Sequence, residues 1–369
     1  MLTPQDDLIG HQLPTTFDQI DNSDPAWMER LWYTGHPAPG GELMFDIGLG
    51  YHPNRNVMDA FAGIAAPGRQ WNFRVSRRLR PDPLRTSVGP LSIEVLEGLR
   101  RHRLVLGANE SGIRFDLEFL ATMNPHEENA HQRRRNGRIT ENMARAQQLG
   151  RYSGWIEFEG RRVDVDQWLG QRDHSWGVRA EMRTDESHPP LTFYPPFFYC
   201  WATAQFPDHG LHVFFKERAP GDKIYLSGEC VTAIGSQAAP GNQLADVRHE
   251  VQWQDDPLGQ SMASAVFHLR FADGSERPIS VRTLATRFYL KGGLYGGLDG
   301  WFHGDDRGKL FSAHEEWKLD DAAIRRKART LADQVIEVRD GDAVGHGIIE
   351  YGVGKGFAMY EAVQVHPPI

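Results

Sequence analysis

The sequence has few cysteines and no long apolar run. Only Cys200 and Cys230 occur among the 369 residues, so we expect no disulfide framework and a reducing cytoplasm suits the chain. No stretch approaches the roughly 18 apolar residues that a membrane span requires. The N-terminus contains Asp6 and Asp7 and lacks the basic and apolar regions of a secretory signal. We therefore expect a cytoplasmic protein without a membrane span.

An excess of positive charge is also absent. The chain has 41 Lys and Arg against 49 Asp and Glu, a formal net charge of −8, which argues against nucleic-acid binding. The run Arg133-Arg134-Arg135 is more typical of a solvated loop than of a patch that attracts phosphate or carboxylate. The composition, 40% hydrophobic and 24% charged, is that of a folded chain. Its length exceeds what one hydrophobic core organises, so two domains are expected.

Several cofactor and nucleophile motifs are missing or incomplete. Gly352-Val353-Gly354-Lys355-Gly356-Phe357 has Phe where a dinucleotide-binding loop has its third glycine, and there is no P-loop and no Gly-x-Ser-x-Gly. His126 and His131 are five residues apart, a spacing that does not bring them together on a helix. His209 and His212 would lie on opposite faces of a strand. We therefore expect chemistry without a cofactor or a metal.

The strongest pattern that is present has a period of two residues. Apolar and polar side chains alternate over 71–75, 113–119 and 265–271, which is typical of strands with one buried face. Glu159-Gly160 and Asp273-Gly274 separate such runs and predict the turns of two hairpins. Many strands joined by short turns predict an all-β sandwich or barrel.

Helical signals are few, and a proline- and aromatic-rich stretch divides the chain. The predicted helices are Ala26–Trp32, Arg138–Gln148 and Asp320–Ala332. The domain boundary is expected within Glu186–Pro207. We place it between residues 190 and 191, which gives domains 1–190 and 191–369.

The densest group of reactive residues is Arg172-Asp173-His174-Ser175-Trp176-Gly177. On a strand, Asp173 and Ser175 share one face, and His174 and Trp176 share the other. The residue types alone allow either an arginine–aspartate pair with a tryptophan that closes a barrel end, or a reactive site.

This motif and the hairpin before it, over about residues 150–179, resemble the carotenoid hydratase and AttH-like family. The segment Gly347-Ile348-Ile349-Glu350-Tyr351-Gly352 is similar to that family's closing strand. The resemblance implies an all-β fold of two consecutive antiparallel lipocalin-like β-barrels with a few short helices. It also implies a cofactor-independent lyase or hydratase acting on a hydrophobic molecule inside a barrel. Asp173 matches the acid that protonates an unsaturated substrate in the family.

The chemistry of the motif fits this role with one conflict. An aspartate in an apolar barrel has a raised pKa and holds a proton near neutral pH, whereas a neighbouring Arg172 would lower that pKa. His174 is the better acid or base by its ordinary pKa, and Trp176 can stabilise a cation through its ring face. Which face meets the substrate stays open. The predicted catalytic residues are Asp173, His174 and Tyr194.

Further substrate-binding candidates come from aromatic and polar residues that occur together. They lie in the motif, in the segment Phe193–Tyr199, on a later strand and in the glycine-rich segment Tyr295–Gly304. Each segment is also consistent with core or ordinary loop. The predicted substrate-binding residues are Arg172, Trp176, Tyr199, Arg287, Tyr289, Asp299, Trp301 and His303.

The expected function is therefore general acid–base catalysis on a hydrophobic or aromatic small molecule. Water addition, water elimination and carbon–carbon cleavage that releases a small carbonyl such as formaldehyde all use the same groups. The alternative is a non-catalytic carrier, because lipocalin-like barrels commonly hold apolar ligands. A homodimer is the default expectation for the assembly.

Overall fold

The computed structural model describes residues 14, 16, 19–37, 41–135, 137–179, 196–237, 241–256, 261–329 and 331–360. The first half forms strands β1 (Trp27–His36), β2 (Met44–His52), β3 (Val57–Ala66), β4 (Arg69–Arg78), β5 (Ser87–Val88), β6 (Leu91–Glu97), β7 (Arg101–Leu106), β8 (Arg114–Ala121), β9 (His126–Glu127), β10 (His131–Arg135), β11 (Arg138–Phe158) and β12 (Arg161–Arg179). The second half forms β13 (Phe198–Gln205), β14 (His209–Ala219), β15 (Asp222–Thr232), β16 (Asn242–Trp253), β17 (Met262–Phe271), β18 (Glu276–Tyr289), β19 (Leu310–Lys318), helix α1 (Ala322–Ala328), β20 (Ala332–Asp340) and β21 (Ala343–Val353).

These strands form two antiparallel sheets. Strands β13-β14-β15-β16-β17-β18-β20-β21 close into an eight-stranded barrel. The other sheet has thirteen strands, in the order β19-β4-β3-β2-β1-β12-β11-β8-β7-β6-β5, with β9 and β10 paired to β11. This sheet curls until β5 lies against β4, where Arg77 Nε donates to the carbonyl oxygen of Ser87 at 2.7 Å. The all-β, two-barrel fold expected from the sequence is thus confirmed.

The period-two pattern produces the strands as predicted. Along β8, buried and more exposed residues alternate, and so they do along β17. The predicted hairpin turns lie between β11 and β12 and between β17 and β18. Gly160 and Gly274 both have φ values, +69° and +86°, that a residue with a side chain rarely adopts.

Two of the three predicted helices are wrong. Ala26–Trp32 lies largely in β1, and Arg138–Gln148 lies in β11. Both segments have long-range sheet partners on either side, and these pairings outweigh the weak local helical signals. The third prediction, Asp320–Ala332, contains α1. Asp321 caps this helix by accepting hydrogen bonds from the backbone N–H groups of Ala323 and Ile324.

One strand links the two halves of the chain. Strand β19 belongs to the second half by sequence, yet it pairs with β4 from Leu310 opposite Arg77 to Lys318 opposite Arg69. The second half therefore completes the edge of the first sheet. The predicted boundary at residue 190 falls outside the described residues and stays a prediction.

Both barrel interiors are filled with apolar side chains, and a third apolar cluster lies between the barrels. In this third cluster, Trp32 of β1 meets Trp201 of β13 edge to face, with ring centroids 5.7 Å apart. The outer face of the first sheet thus packs on the outer face of the closed barrel. None of the helices in the described part of the chain has the length and apolar character needed to cross a membrane.

Candidate active site between the barrels

The two faces of β12 meet different surroundings. Asp173 stands opposite Trp32 in the pairing with β1, so its side chain shares the face that packs against the second barrel. Arg172 stands opposite Tyr33, on the face that lines the interior of the first barrel. Strand alternation therefore separates these two neighbours, and each has its own partners.

Asp173 is mostly buried beside a different arginine. Arg145 Nε lies 3.4 Å from Asp173 Oδ2, whereas Arg172 donates to Gln148 Oε1 at 2.7 Å. Burial raises the pKa of Asp173 and Arg145 lowers it, and the net shift is upward. The expected conflict between Arg172 and a proton on Asp173 is thus removed by the direction of the two side chains.

Three further carboxyl groups meet where the two barrels touch. Asp46 comes from β2, Asp333 from β20 and Glu350 from β21. Burial raises the pKa of Asp46 to about 7. Burial also raises the pKa of Asp333 and of Glu350 well above the ordinary range, and the closeness of the three carboxyls adds to this shift. The carboxyl cluster, as we call Asp46, Asp333 and Glu350, therefore favours protonated side chains near neutral pH.

The members of the carboxyl cluster differ in their hydrogen bonds. Trp32 Nε1 donates to Asp46 Oδ1 at 2.7 Å. Asp333 is fully buried, and its carboxyl lies within hydrogen-bond reach of the carboxyls of Asp46 and Glu350. Two carboxyl groups can form such a hydrogen bond only when one of them carries a proton, so these contacts favour a proton on the cluster.

Arginines and one more acid surround the cluster. Glu128 is buried and lies 3.3 Å from Arg145, and it accepts hydrogen bonds from Trp201 Nε1 and the hydroxyl of Tyr225. The acids whose charges interact across this site are Asp46, Glu128, Asp173, Asp333 and Glu350. The arginines that interact with them are Arg30, Arg145 and Arg179. If all five acids were ionised, their charges would outnumber those of the three guanidinium groups. Because the site is buried, the acids without a contact to an arginine therefore tend to keep their protons.

Two tyrosines face the same group of charges. The Tyr199 hydroxyl is buried without a hydrogen-bond partner among the described residues, and burial together with Glu350 and Asp333 raises its pKa. The Tyr295 ring lies under the guanidinium of Arg30, 4.8 Å from its centroid. Burial raises the pKa of Tyr295 as well. Both hydroxyls are therefore neutral hydrogen-bonding groups at physiological pH.

His174 and Trp176, on the opposite face of β12 from Asp173, lie away from this site. His174 Nε2 contacts Glu29 Oε1 at 2.6 Å, and the rings of His174 and Trp176 lie 5.1 Å apart. Trp176 is 39% exposed, so this pair is at the rim of the first barrel. Tyr194, the third predicted catalytic residue, lies outside the described residues.

Arg287 and Tyr289 line a different cavity of about 320 Å³, whose wall also includes Ala66 and Gly68 of the β3–β4 hairpin. Arg287 donates to Gln334 Oε1 at 2.7 Å and lies near Ser261 and the hydroxyl of Tyr351. Arg325 and Asp256 also line this cavity. It is a separate pocket with a cationic wall.

The glycine-rich segment divides its predicted residues among three environments. Asp299 is exposed and pairs with Lys327 at 2.8 Å, and Trp301 is buried in an apolar cluster. His303 is buried and forms a triad with His52 and Asp59, whose side chains lie close enough to hold a metal ion. This triad was not anticipated from the sequence, because its members share no short spacing.

A faint sequence signal exists for two of the residues that were missed. Asp46 stands alone among apolar residues in Met44–His52, and Glu350 stands among apolar residues in Ala343–Val353. An isolated acid in an apolar strand indicates a buried and therefore functional or paired group. Which acids meet depends on how the barrels pack, and no local pattern contains that information.

Comparison with known structures fits this architecture. An AttH-like protein from Nitrosomonas europaea shares 12% identity, with coverage of 88% of this chain and 92% of that chain and a TM-score of 0.52. Kievitone hydratase from Nectria haematococca shares 10% identity over 87% and 88% of the two chains, with a TM-score of 0.42. CghA shares 11% identity over 88% of each chain, with a TM-score of 0.46.

The chain is thus a two-barrel protein with the fold of the AttH-like proteins, and the resemblance expected from the sequence is confirmed at the level of the fold. The model of a family of unknown function (DUF8625) matches residues 2–357, and the chain belongs to this family. No curated protein sequence matches it.

Proposed function

We propose that this protein is an enzyme that adds water to, or eliminates it from, a small hydrophobic or aromatic molecule held between the barrels. The carboxyl cluster carries the proposal, because its raised pKa values make it a store of protons beside Asp173. Both barrel interiors are filled with apolar side chains. The contact between the barrels is therefore a better location for the chemistry than a barrel interior.

We assign the proton donor to Asp333 and the base to Asp173. Asp333 lies beside two other carboxyls, Asp46 and Glu350, and carries the more strongly raised pKa, whereas Asp173 has a guanidinium beside it. Two acids whose surroundings separate their pKa values are suited to opposite roles in proton transfer. This assignment moves the donor away from Asp173, where the family resemblance placed it.

In the hydration direction, Asp333 gives its proton to one carbon of a carbon–carbon double bond, which leaves a cation on the other carbon. Asp173, as a carboxylate, accepts a proton from a water molecule while the oxygen of that water bonds to the cation. The reverse sequence eliminates water. Trp32 stands opposite Asp173 and donates to Asp46, and Trp201 donates to Glu128. Together with Tyr295, these rings are suited to stabilising the positive charge.

Carbon–carbon cleavage would use the same two groups. Asp173 would take the proton of a substrate hydroxyl, the carbon–carbon bond would break as the carbonyl forms, and Asp333 would protonate the departing carbon. Hydration, elimination and cleavage are distinguished by the mass of the product.

The test is to incubate the protein in deuterium oxide with a panel of hydrophobic and phenolic alkenes and alcohols, and to analyse the products by mass spectrometry. We expect deuterium on carbon together with gain or loss of water. Asp333→Asn and Asp173→Asn should each lower the rate by about 100-fold or more. Asp116→Asn, which alters an exposed pair with Arg103, is the control and should leave the rate unchanged. Equal rates in all four proteins would refute the assignment.

A carrier is the second candidate, and the cavity beside Arg287 favours it. A guanidinium in the wall of a partly enclosed cavity is suited to a carboxylate or phenolate ligand with an apolar body. If the protein is a carrier, Arg287→Met should abolish the binding of such ligands in a fluorescence titration. No compound in the panel should then be converted by any variant.

A further inference from the structure

We propose that His52, Asp59 and His303 bind one divalent transition-metal ion of the zinc type. His52 ends β2, Asp59 lies on β3, and His303 lies in the segment between β18 and β19. The three side chains therefore come from three places in the chain. Imidazole and carboxylate together are the donor set that zinc and its neighbours in the first transition row prefer.

The donor atoms have the spacing of a coordination sphere. Asp59 Oδ1 lies 3.4 Å from His52 Nε2 and 3.2 Å from His303 Nδ1. All three donor groups lie within 4.8 Å of one another. Zinc bonds of about 2.0–2.1 Å in tetrahedral geometry place neighbouring donors about 3.3 Å apart. The two distances from Asp59 Oδ1 match this value. The two imidazole nitrogens are at most 4.8 Å apart, and an ion would bring them to about 3.3 Å.

The surroundings orient these donors. The backbone N–H of Gly304 donates to Asp59 Oδ2 at 2.6 Å, which leaves Oδ1 for the ion. Arg55 Nη1 donates to the backbone oxygen of His303 at 3.3 Å and holds that part of the loop. Groups of this kind around the ligands are a regular feature of metal sites because they fix the orientation of the donors.

A fourth polar group stands next to the triad. Ser76 of β4 pairs directly with Asp59 of β3, on the same face of the sheet, and its hydroxyl is buried without a hydrogen-bond partner among the described residues. A water molecule that completes the coordination of the ion would give this hydroxyl a partner. This unsatisfied group is an observation independent of the triad itself.

Burial assigns the ion a structural role. His52, Asp59 and His303 are 4%, 1% and 6% exposed, so the site is closed to a large substrate. The ion would fasten the glycine-rich segment onto β2 and β3. The same segment carries Tyr295, whose ring meets His303 with centroids 5.4 Å apart. The proposed metal site does not depend on the proposed catalytic function. It involves other residues, and its test measures metal content and not turnover.

The alternative is a metal-free network in which both imidazoles donate hydrogen bonds to Asp59. To separate the two, the full chain is stripped with a chelator, titrated with Zn²⁺ and, separately, with Mg²⁺, and its metal content is measured by mass spectrometry after gel filtration. We expect one Zn²⁺ per chain and no retained Mg²⁺. His303→Gln should bind Zn²⁺ at least 100-fold more weakly. His102→Gln, a buried histidine hydrogen-bonded to Tyr33, is the matched control and should bind normally.

A second measurement needs no variant and so does not depend on variant folding. X-ray absorption at the zinc edge of the wild-type protein should show two imidazole ligands and oxygen at bonding distance. Zinc should also raise the melting temperature by about 5 °C or more at saturation. Zinc content well below one per chain in the wild type, or equal affinity in the wild type and His303→Gln, would show that the triad is only a hydrogen-bonded network.

Discussion

Asp46 makes the stability of this protein depend on pH in an unusual direction. Most carboxyl groups in folded proteins have lowered or ordinary pKa values, whereas burial raises the pKa of Asp46 to about 7 from an ordinary value of 3.8. Between these values the folded state binds more protons than the unfolded state. The free energy of unfolding therefore loses a contribution as the pH rises from about 4 to about 7.

We predict that Asp46→Asn removes this loss. The difference in unfolding free energy between Asp46→Asn and the wild type should increase with pH by up to about 1.4 kcal/mol per unit, and should level off above about pH 7. Urea unfolding at several pH values between 4.5 and 8.5 measures it. For Asp116→Asn, the same difference in unfolding free energy should decrease as the pH rises, because Arg103 lowers the pKa of Asp116. A pH-independent difference for Asp46→Asn would show that this carboxyl is ionised in the folded protein.

Gly177, which ends the Arg172–Gly177 motif, has a backbone conformation that excludes side chains. Its φ is +130°, and a Cβ there would lie 2.1 Å from the backbone oxygen of Asn142. We predict that Gly177→Ala lowers the unfolding free energy by about 3 kcal/mol or more. Gly68→Ala is the control, since its φ is +78° but a Cβ would meet no atom within 4 Å. That substitution should cost roughly 1–2 kcal/mol. If urea unfolding shows equal losses of unfolding free energy for Gly177→Ala and Gly68→Ala, the backbone near Asn142 shifts to make room for the new Cβ.

At the scale of elements, the sequence allowed several strands to be predicted but not which strands pair with one another. The alternation within 113–119 and 265–271 predicted β8 and β17, because one buried face leaves a local pattern. The same rule separated Asp173 from its neighbours on β12. The alternation rule did not identify β1 and β11, parts of which had been predicted as helices.

The site was only partly predictable for a related reason. Asp173 lies in a motif, and Tyr199 lies in a visibly aromatic segment, so both could be found. Asp333 and Glu350 meet Asp46 only because the outer faces of two barrels pack together, a contact made between residues distant in sequence. Side-chain alternation gives the face of a strand but does not say what covers it.

The edge strand β19 allows a direct test of how the first sheet is completed. Trp317 of β19 is fully buried in the apolar cluster at this edge, and Arg74 of β4 forms an ion pair with Glu315 of β19. We predict that Trp317→Ala lowers the unfolding free energy by about 3–5 kcal/mol. Trp176→Ala removes an exposed ring and should cost less than about 1 kcal/mol. Similar losses for the two variants in urea unfolding would contradict the placement of β19.

At the scale of the whole molecule, the two barrels should unfold together. They share β19, a buried apolar cluster and the coupled acids and arginines between them. We predict a single transition in differential scanning calorimetry, with equal calorimetric and van't Hoff enthalpies. Trp201→Ala removes the ring that meets Trp32 and should broaden or split this transition. Two separate transitions in the wild type would show that the barrels are energetically independent.

The origin of β19 in the second half also matters while the protein is being made. The ribosome completes β12 at Arg179 and reaches β19 at Leu310 about 130 residues later. At ordinary elongation rates this delay is on the order of 10 s, during which β4 has an open edge. An unpaired edge strand is a template for wrong pairing with another chain. The exposed edge of β4 is therefore open to wrong pairing until the last third of the chain arrives to close the first barrel.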